Sequence, residues 1–188
     1  MSSSTQSATT VPVAMYYVVP IESDDDGKSR KSDDHVQSCN YYVYDKNQDN
    51  DKDKKNYVLI PDPPLLQAVS TGLGVDYVVL QQLSPLEMKK PPSNPAKDVT
   101  LFSATARNEK STSGEKPLPN VFLAAAPRAE AMPVLAIPVG APYRRGLILT
   151  FSAFNPSSGE FLLRSTSDPE IRGSTNASPV PPPPHEPR

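Results

Sequence analysis

A mainly β fold, an antiparallel sandwich or a partly closed barrel, is what this sequence predicts, and three observations predict it. Tyrosines and β-branched residues gather in nine short runs. The 23 prolines, with Gly, Asn, Asp and Ser, keep those runs apart. Only two short stretches carry helix-capping signals. Runs that fit a pleated, half-buried surface and end in turn residues read as strands, and a proline content far above the usual ~5% works against long helices.

The runs are Val13–Val19, Tyr41–Tyr44, Tyr57–Ile60, Asp76–Leu80, Val99–Ser103, Val121–Ala124, Val134–Val139, Leu147–Phe154 and Glu160–Ser165. They give about eight or nine short strands in one domain over residues 12–167. The clearest unit spans Gly146 to Ser165. Leu147, Leu149 and Phe151 alternate with Ile148, Thr150 and Ser152, Asn155-Pro-Ser-Ser-Gly159 supplies the turn, and Phe161 and Leu163 continue on the return strand. This predicts a β-hairpin. Tyr-Tyr-Val recurs at Tyr16 and Tyr41, with similar strings at Tyr57 and Tyr77, but the intervals of 25, 16 and 20 residues are unequal. They reflect shared strand propensity rather than a duplicated unit.

One or two short helices complete the expectation. Asp62 can cap a helix opening at Pro63, with Leu65, Leu66 and Val69 on one face and Gly72 as a left-handed stop. Ser84, Pro85 and Glu87 form a capping pattern for one further turn before Pro91 and Pro92. Polar loops are expected at 22–38, 45–56 and 107–120. Residues 1–11 are small and polar and read as a disordered leader. Residues 168–188, ending in PVPPPPHEPR, read as a disordered, partly polyproline II tail.

A net charge of −2 offers no electrostatic grip on nucleic acid and no basic membrane patch. The single cysteine, Cys39, excludes an intramolecular disulfide framework and fits a reducing compartment. The apolar zone Val121 to Ala141 is broken by Pro127, Arg128, Glu130, Pro133 and Pro138, so no run reaches membrane-spanning length. The N-terminus is rich in Ser and Thr and lacks the basic region of a secretory signal. A cytoplasmic location is expected, with organellar targeting through that leader as the alternative.

Candidate chemistry is sparse. Asp45, Asn47, Asp49 and Asp51 alternate as at the start of a calcium loop, but Asn50 and Asn56 stand where an EF-hand needs Gly and a bidentate Glu. His35 and Cys39 are four apart, yet zinc needs further ligands that no other Cys supplies. No G-x-S-x-G elbow accompanies a histidine. The bare Gly72-Leu-Gly74 precedes a strand, whereas a dinucleotide loop follows one. Outside the charged loops the acids are Asp62, Asp76, Glu87, Asp98, Glu130 and Glu160; Asp76, at a strand start, reads as a turn carboxylate beside Gly74. Arg144-Arg145 reads as a surface cation pair after Pro142. No catalytic, metal or cofactor residue is assigned, and no cofactor is expected.

The function expected from these features is that of a non-enzymatic β-rich protein-interaction module. Its partners would be met through the tyrosine-rich strands or the tail, where Pro179, Pro181, Pro182, Pro183 and Pro184 hold a PxxP spacing near Arg188. One alternative is a small-ligand binder or an unrecognised enzyme, with Tyr16, Tyr41, Tyr57 and Tyr77 lining a barrel cavity. The other is a single-stranded nucleic-acid binder using exposed aromatics, which the charge disfavours.

Overall fold

A computed structural model describes residues 13–22, 38–48, 54–72, 74–107, 119–128, 131–140, 143–155 and 160–173. The strands are β1 (Ala14–Ile21), β2 (Ser38–Tyr44), β3 (Tyr57–Leu59), β4 (Leu65–Gln67), β5 (Val75–Gln82), β6 (Val99–Ala106), β7 (Val121–Ala124), β8 (Ala126–Arg128), β9 (Ala131–Gly140), β10 (Arg144–Asn155) and β11 (Glu160–Arg172). A six-stranded sheet runs β3-β2-β1-β5-β9-β8, and a five-stranded sheet runs β4-β11-β10-β6-β7. The two face each other as a sandwich and do not close into a barrel.

Each of the nine expected runs coincides with a strand, with only Val13 and Ile60 falling outside one. The Gly146–Ser165 hairpin pairs Phe151 with Arg164 and Asn155 with Glu160. Most pairings are antiparallel, as expected, but β1 runs parallel to β5 and β11 parallel to β4. Both parallel neighbours are distant in sequence and are joined by excursions that cross the sandwich, which local hairpin signals do not report.

The helix expected after Asp62 is instead β4. Leu66 is fully buried while Leu65 and Gln67 are exposed, a period of two rather than 3.6. The Pro64 carbonyl accepts from the Glu170 N–H and the Arg172 carbonyl from the Ala68 N–H, so the segment satisfies its backbone against β11. A lone two-turn helix is marginal and loses to that ladder. Gly72 and Gly74 do hold left-handed backbone, at φ +72° and +81°, in the bend that enters β5. The second expected turn is present as a short 3₁₀ segment at Pro85–Glu87, where the Ser84 Oγ accepts from the Leu86 N–H. A further 3₁₀ turn spans Lys46–Gln48.

β11 runs beyond Ser167 to Arg172, and Ile171 is fully buried, so the folded part extends past the expected boundary. The proline tail (residues 174–188) and the leader to residue 12 lie outside the described residues.

The main core lies between the sheets. Val18, Tyr41, Val78, Leu80, Leu135, Ile137 and Val139 face Leu66, Leu101, Leu147, Leu149, Phe151 and Ile171. A second cluster sits on the outer side of the six-stranded sheet, where Val19, Ile21, Tyr42 and Tyr57 pack with Leu83 and Met88. The β5–β6 connection is laid over that side. Its backbone joins β1 through Ala96 N–H to Pro20 O (2.9 Å) and the β3 approach through Lys55 N–H to Glu87 O (2.9 Å). Val19, Ile21, Tyr42 and Tyr57 on that face are thereby buried, while Met15 and Tyr77 stay exposed.

Candidate functional site

Buried polar side chains are the natural place to look for chemistry, because an unsatisfied one is costly. Asp76, Gln82 and Arg145 are among those the core encloses, and each serves the backbone.

Gln82 ends β5 on the inner face. Its Nε2 donates to the Val99 carbonyl (2.9 Å), and its Oε1 accepts from the Leu101 N–H (2.7 Å). β7 pairs with β6 only from Ser103 to Ala106. The Gln82 amide therefore acts as a one-residue strand for the stretch of β6 that β7 leaves uncovered, and ties the two sheets at that end.

Arg145 ties the other end. It is 1% exposed, which corrects the expectation of a surface cation pair. Strand alternation separates the two arginines: Arg144 points outward and pairs with Glu170 at 3.1 Å, and Arg145 points inward. The Arg145 Nε donates to the Arg107 carbonyl (2.9 Å), one terminal nitrogen to the Pro138 carbonyl (3.2 Å), and the other to the Pro119 carbonyl. One guanidinium fork thus joins β10, β9 and both ends of the 107–120 connection.

Asp76 accepts from the Thr71 N–H (3.0 Å), while the Thr71 hydroxyl donates to the Val75 carbonyl (2.8 Å). This matches the turn-carboxylate reading. Asp45 likewise accepts from the Asn47 N–H (2.9 Å) and opens the 3₁₀ turn. Asp49, Asp51 and His35 lie outside the described residues, and among those described no group of three or more His, Cys, Asp or Glu side chains converges.

The tyrosines do not line one cavity. Tyr16 and Tyr41 pack against the main core, Tyr57 lies in the outer cluster, and Tyr77 is exposed. Tyr57 meets Tyr17 edge-on at 4.9 Å and Tyr44 at 5.6 Å. The Tyr16 hydroxyl donates to the Gln67 carbonyl (2.8 Å) and accepts from the Gln67 N–H (2.9 Å), so it occupies the free edge of β4 as a neighbouring strand would.

Burial holds the Tyr16, Tyr17 and Tyr42 phenols above their ordinary value of 10.0. Glu87 adds to the effect at Tyr17, and hydrogen bonds from Gln67 and Asn40 partly offset it at Tyr16 and Tyr42. Above pH 10 the unfolded chain then binds fewer protons than the native one, so this contribution is intact below pH 10 and is lost as pH rises further. The urea midpoint is expected to fall between about pH 9 and about pH 11, and to fall less in Tyr17→Phe. Equal slopes in the two chains would contradict the assignment.

A surface cleft of about 310 Å³ opens on the β2–β3 side of the sandwich, lined by Cys39, Asn40, Tyr41, Leu59, Asp62 and Pro64 among others. Cys39, which is in no disulfide, is half-buried there. The outer face of the five-stranded sheet is different: Phe102, Phe122 and Leu163 stand 49%, 66% and 56% exposed on it. The proline positions expected to bind partners (Pro179, Pro181, Pro182, Pro183, Pro184) and Arg188 lie outside the described residues.

No family model, no curated protein and no solved structure matches this chain. No helix among the described residues is long and apolar enough to cross a membrane.

Proposed function

We propose that this chain is a non-enzymatic protein-interaction module, with a β-sandwich that presents a sheet face and a proline-rich tail to protein partners. The observation that carries the reading is the outer face of the five-stranded sheet, where three large apolar side chains stay in water while Gln82, Asp76 and Arg145 spend polar atoms on the backbone. Exposed apolar residues grouped on one face mark interaction sites more often than isolated ones do. In the tail, Pro181 to Pro184 carry little conformational entropy to lose, which favours docking in an aromatic groove.

The cleft at Cys39 and Asp62 favours a second reading, a small-ligand binder, because its volume of about 310 Å³ sits at the lower end of ligand pockets. A single-stranded nucleic-acid binder is supported least, since most of the tyrosines it would stack on are packed within the fold.

Affinity capture tests the first reading, with the full chain compared against a chain ending at Gly173, which keeps Ile171 in the core. Partners recovered by the full chain and lost on truncation assign recognition to the tail. Partners shared by both baits assign it to the sandwich. Failure of both baits to hold any protein that competes with free bait contradicts the reading.

A further inference from the structure

We infer that the free edge of β7 receives an extended, proline-free strand from a partner protein; this rests on the interaction-module reading and names how the sandwich holds that partner. A sheet edge presents a row of N–H and C=O groups, and folded chains ordinarily blunt it. The edge strands here are β3, β8, β4 and β7. The first three are blunted. At β3, the β5–β6 connection closes the Lys55 end, with the Lys55 N–H donating to Glu87 O (2.9 Å) and the Lys89 N–H to Lys55 O (3.1 Å). β8 contains Pro127, which has no N–H, and its pairing with β9 shifts register between Ala126 and Arg128. At β4, the Tyr16 hydroxyl takes both main-chain groups of Gln67.

β7 has none of these devices. Its stretch from residue 121 to 126, Val-Phe-Leu-Ala-Ala-Ala, holds no charge and no proline. The ladder fixes which groups are left over. Leu123 pairs across from Ala104, and the Ala125 N–H donates to the Phe102 carbonyl (2.9 Å). Antiparallel bonds recur at every second residue, so Val121, Leu123 and Ala125 turn their main chain to β6. Phe122 and Ala124 turn theirs away, and both residues are exposed. β7 pairs with no strand but β6, and among the described residues no hydrogen bond reaches the outward N–H or C=O of either residue.

Two observations select the occupant. The first is the chemistry of that row. Donors and acceptors at strand spacing are matched by another extended main chain, whose every second residue gives an N–H and a C=O to β7. A proline at such a position has no N–H, so the chain's own Pro181 to Pro184 run does not fit.

The second is the shape of the edge. Val121, Leu123 and Ala125 are only partly buried against the main core, so their outer flanks stay in water. A lone strand can set one side chain inward beside Leu123 and the next outward beside Phe122, where aromatic or β-branched residues pair best. The occupant is therefore an apolar segment with such residues at successive positions. A second copy offers only its own β7, whose inward side chains already pack on its own core. Four residues make about 13 Å of edge at ~3.3 Å per residue. Contact along that line falls far below the ~800 Å² each partner contributes to a standard interface.

The test is selection of a random heptapeptide library, displayed on phage, against the full chain, with Ala124→Pro as the counter-bait. Proline at 124 removes a donor that the ladder does not use, so the melting temperature is expected to be kept. Leu123→Pro, which loses the bond to Ala104, is expected to melt lower. Enriched peptides are expected to be rich in β-branched and aromatic residues, to lack proline at alternate positions, and to bind Ala124→Pro at least about tenfold more weakly. If Ala124→Pro does not fold, the selected peptide is N-methylated and tested on the unaltered chain. Methylating one alternate set of its amides is expected to abolish binding, and methylating the other set to leave it. No enrichment over the counter-bait, a peptide that binds both chains equally, or equal losses from the two methylated sets overturns the proposal. So does a full chain that dimerises in solution and turns monomeric in Ala124→Pro, which gives the edge to a second copy. Protein partners captured equally by the full chain and by Ala124→Pro leave the interaction-module reading standing and this one refuted.

Discussion

Replacing Arg145 with methionine is expected to lower the free energy of unfolding by about 4 kcal/mol, which is a large share of the 5–15 kcal/mol typical of a single domain. Methionine fills much of the apolar volume but donates nothing. The carbonyls of Arg107, Pro119 and Pro138 then lose the donors that Arg145 supplies. Each buried acceptor left alone costs about 1–3 kcal/mol, and the sum is reduced because the chain can relax and admit water. Arg145→Lys keeps the charge but not the fork, so an intermediate loss is expected. Arg144→Met is the control. Its pair with Glu170 is exposed on both sides, and such pairs are worth less than about 1 kcal/mol. Urea unfolding monitored by circular dichroism reads all three. Equal losses for Arg144→Met and Arg145→Met would show that the inward fork does not tie the sheets.

Gln82→Leu is the second large effect, at about 3 kcal/mol. The volume is nearly kept, so little of the loss comes from a cavity. What is removed is one donor and one acceptor at the uncovered end of β6, where the Val99 carbonyl and the Leu101 N–H have turned to Gln82. Gln82→Glu gives a pH signature. Its protonated form can still donate to Val99, while its ionised form sets a buried negative charge against that carbonyl. The folded-state pKa of the new carboxyl is therefore expected above its unfolded value. Its stability is retained below about pH 4 and lost as pH rises through the folded value. Gln81→Leu, on the outer side of the same strand, is expected to change stability by less than about 0.5 kcal/mol. A pH-independent Gln82→Glu variant, or a Gln82→Leu variant no weaker than Gln81→Leu, would contradict the assignment.

These two residues also mark where sequence reading stopped. The nine runs were legible because each buries alternate residues between turn signals, as Leu147, Leu149 and Phe151 do. The Ser84 cap was legible because it is local. β4 was not, since three residues carry too little period to outvote a plausible cap at Asp62, and its partner strand is remote in sequence. Arg145 looked like half of a surface pair because adjacent residues were given one fate, although alternation on a strand sends neighbours to opposite faces. That same parity was the available signal for Gln82, which continues the inward series of Val78 and Leu80. The Tyr16 hydroxyl could not be found this way, because the edge it occupies exists only once the sheets are assembled.

The central claim is that recognition belongs to the sheet face and the tail rather than to a small-molecule site. Side-chain footprinting of the full chain, in native extract before and after dialysis and in buffer alone, tests it most directly. The account predicts protection in extract at Phe102, Phe122, Leu163 or residues 179–184, and predicts that dialysis leaves that protection in place. Protection confined to the cleft at Cys39, Leu59 and Asp62, and lost when small molecules are dialysed away, would contradict it.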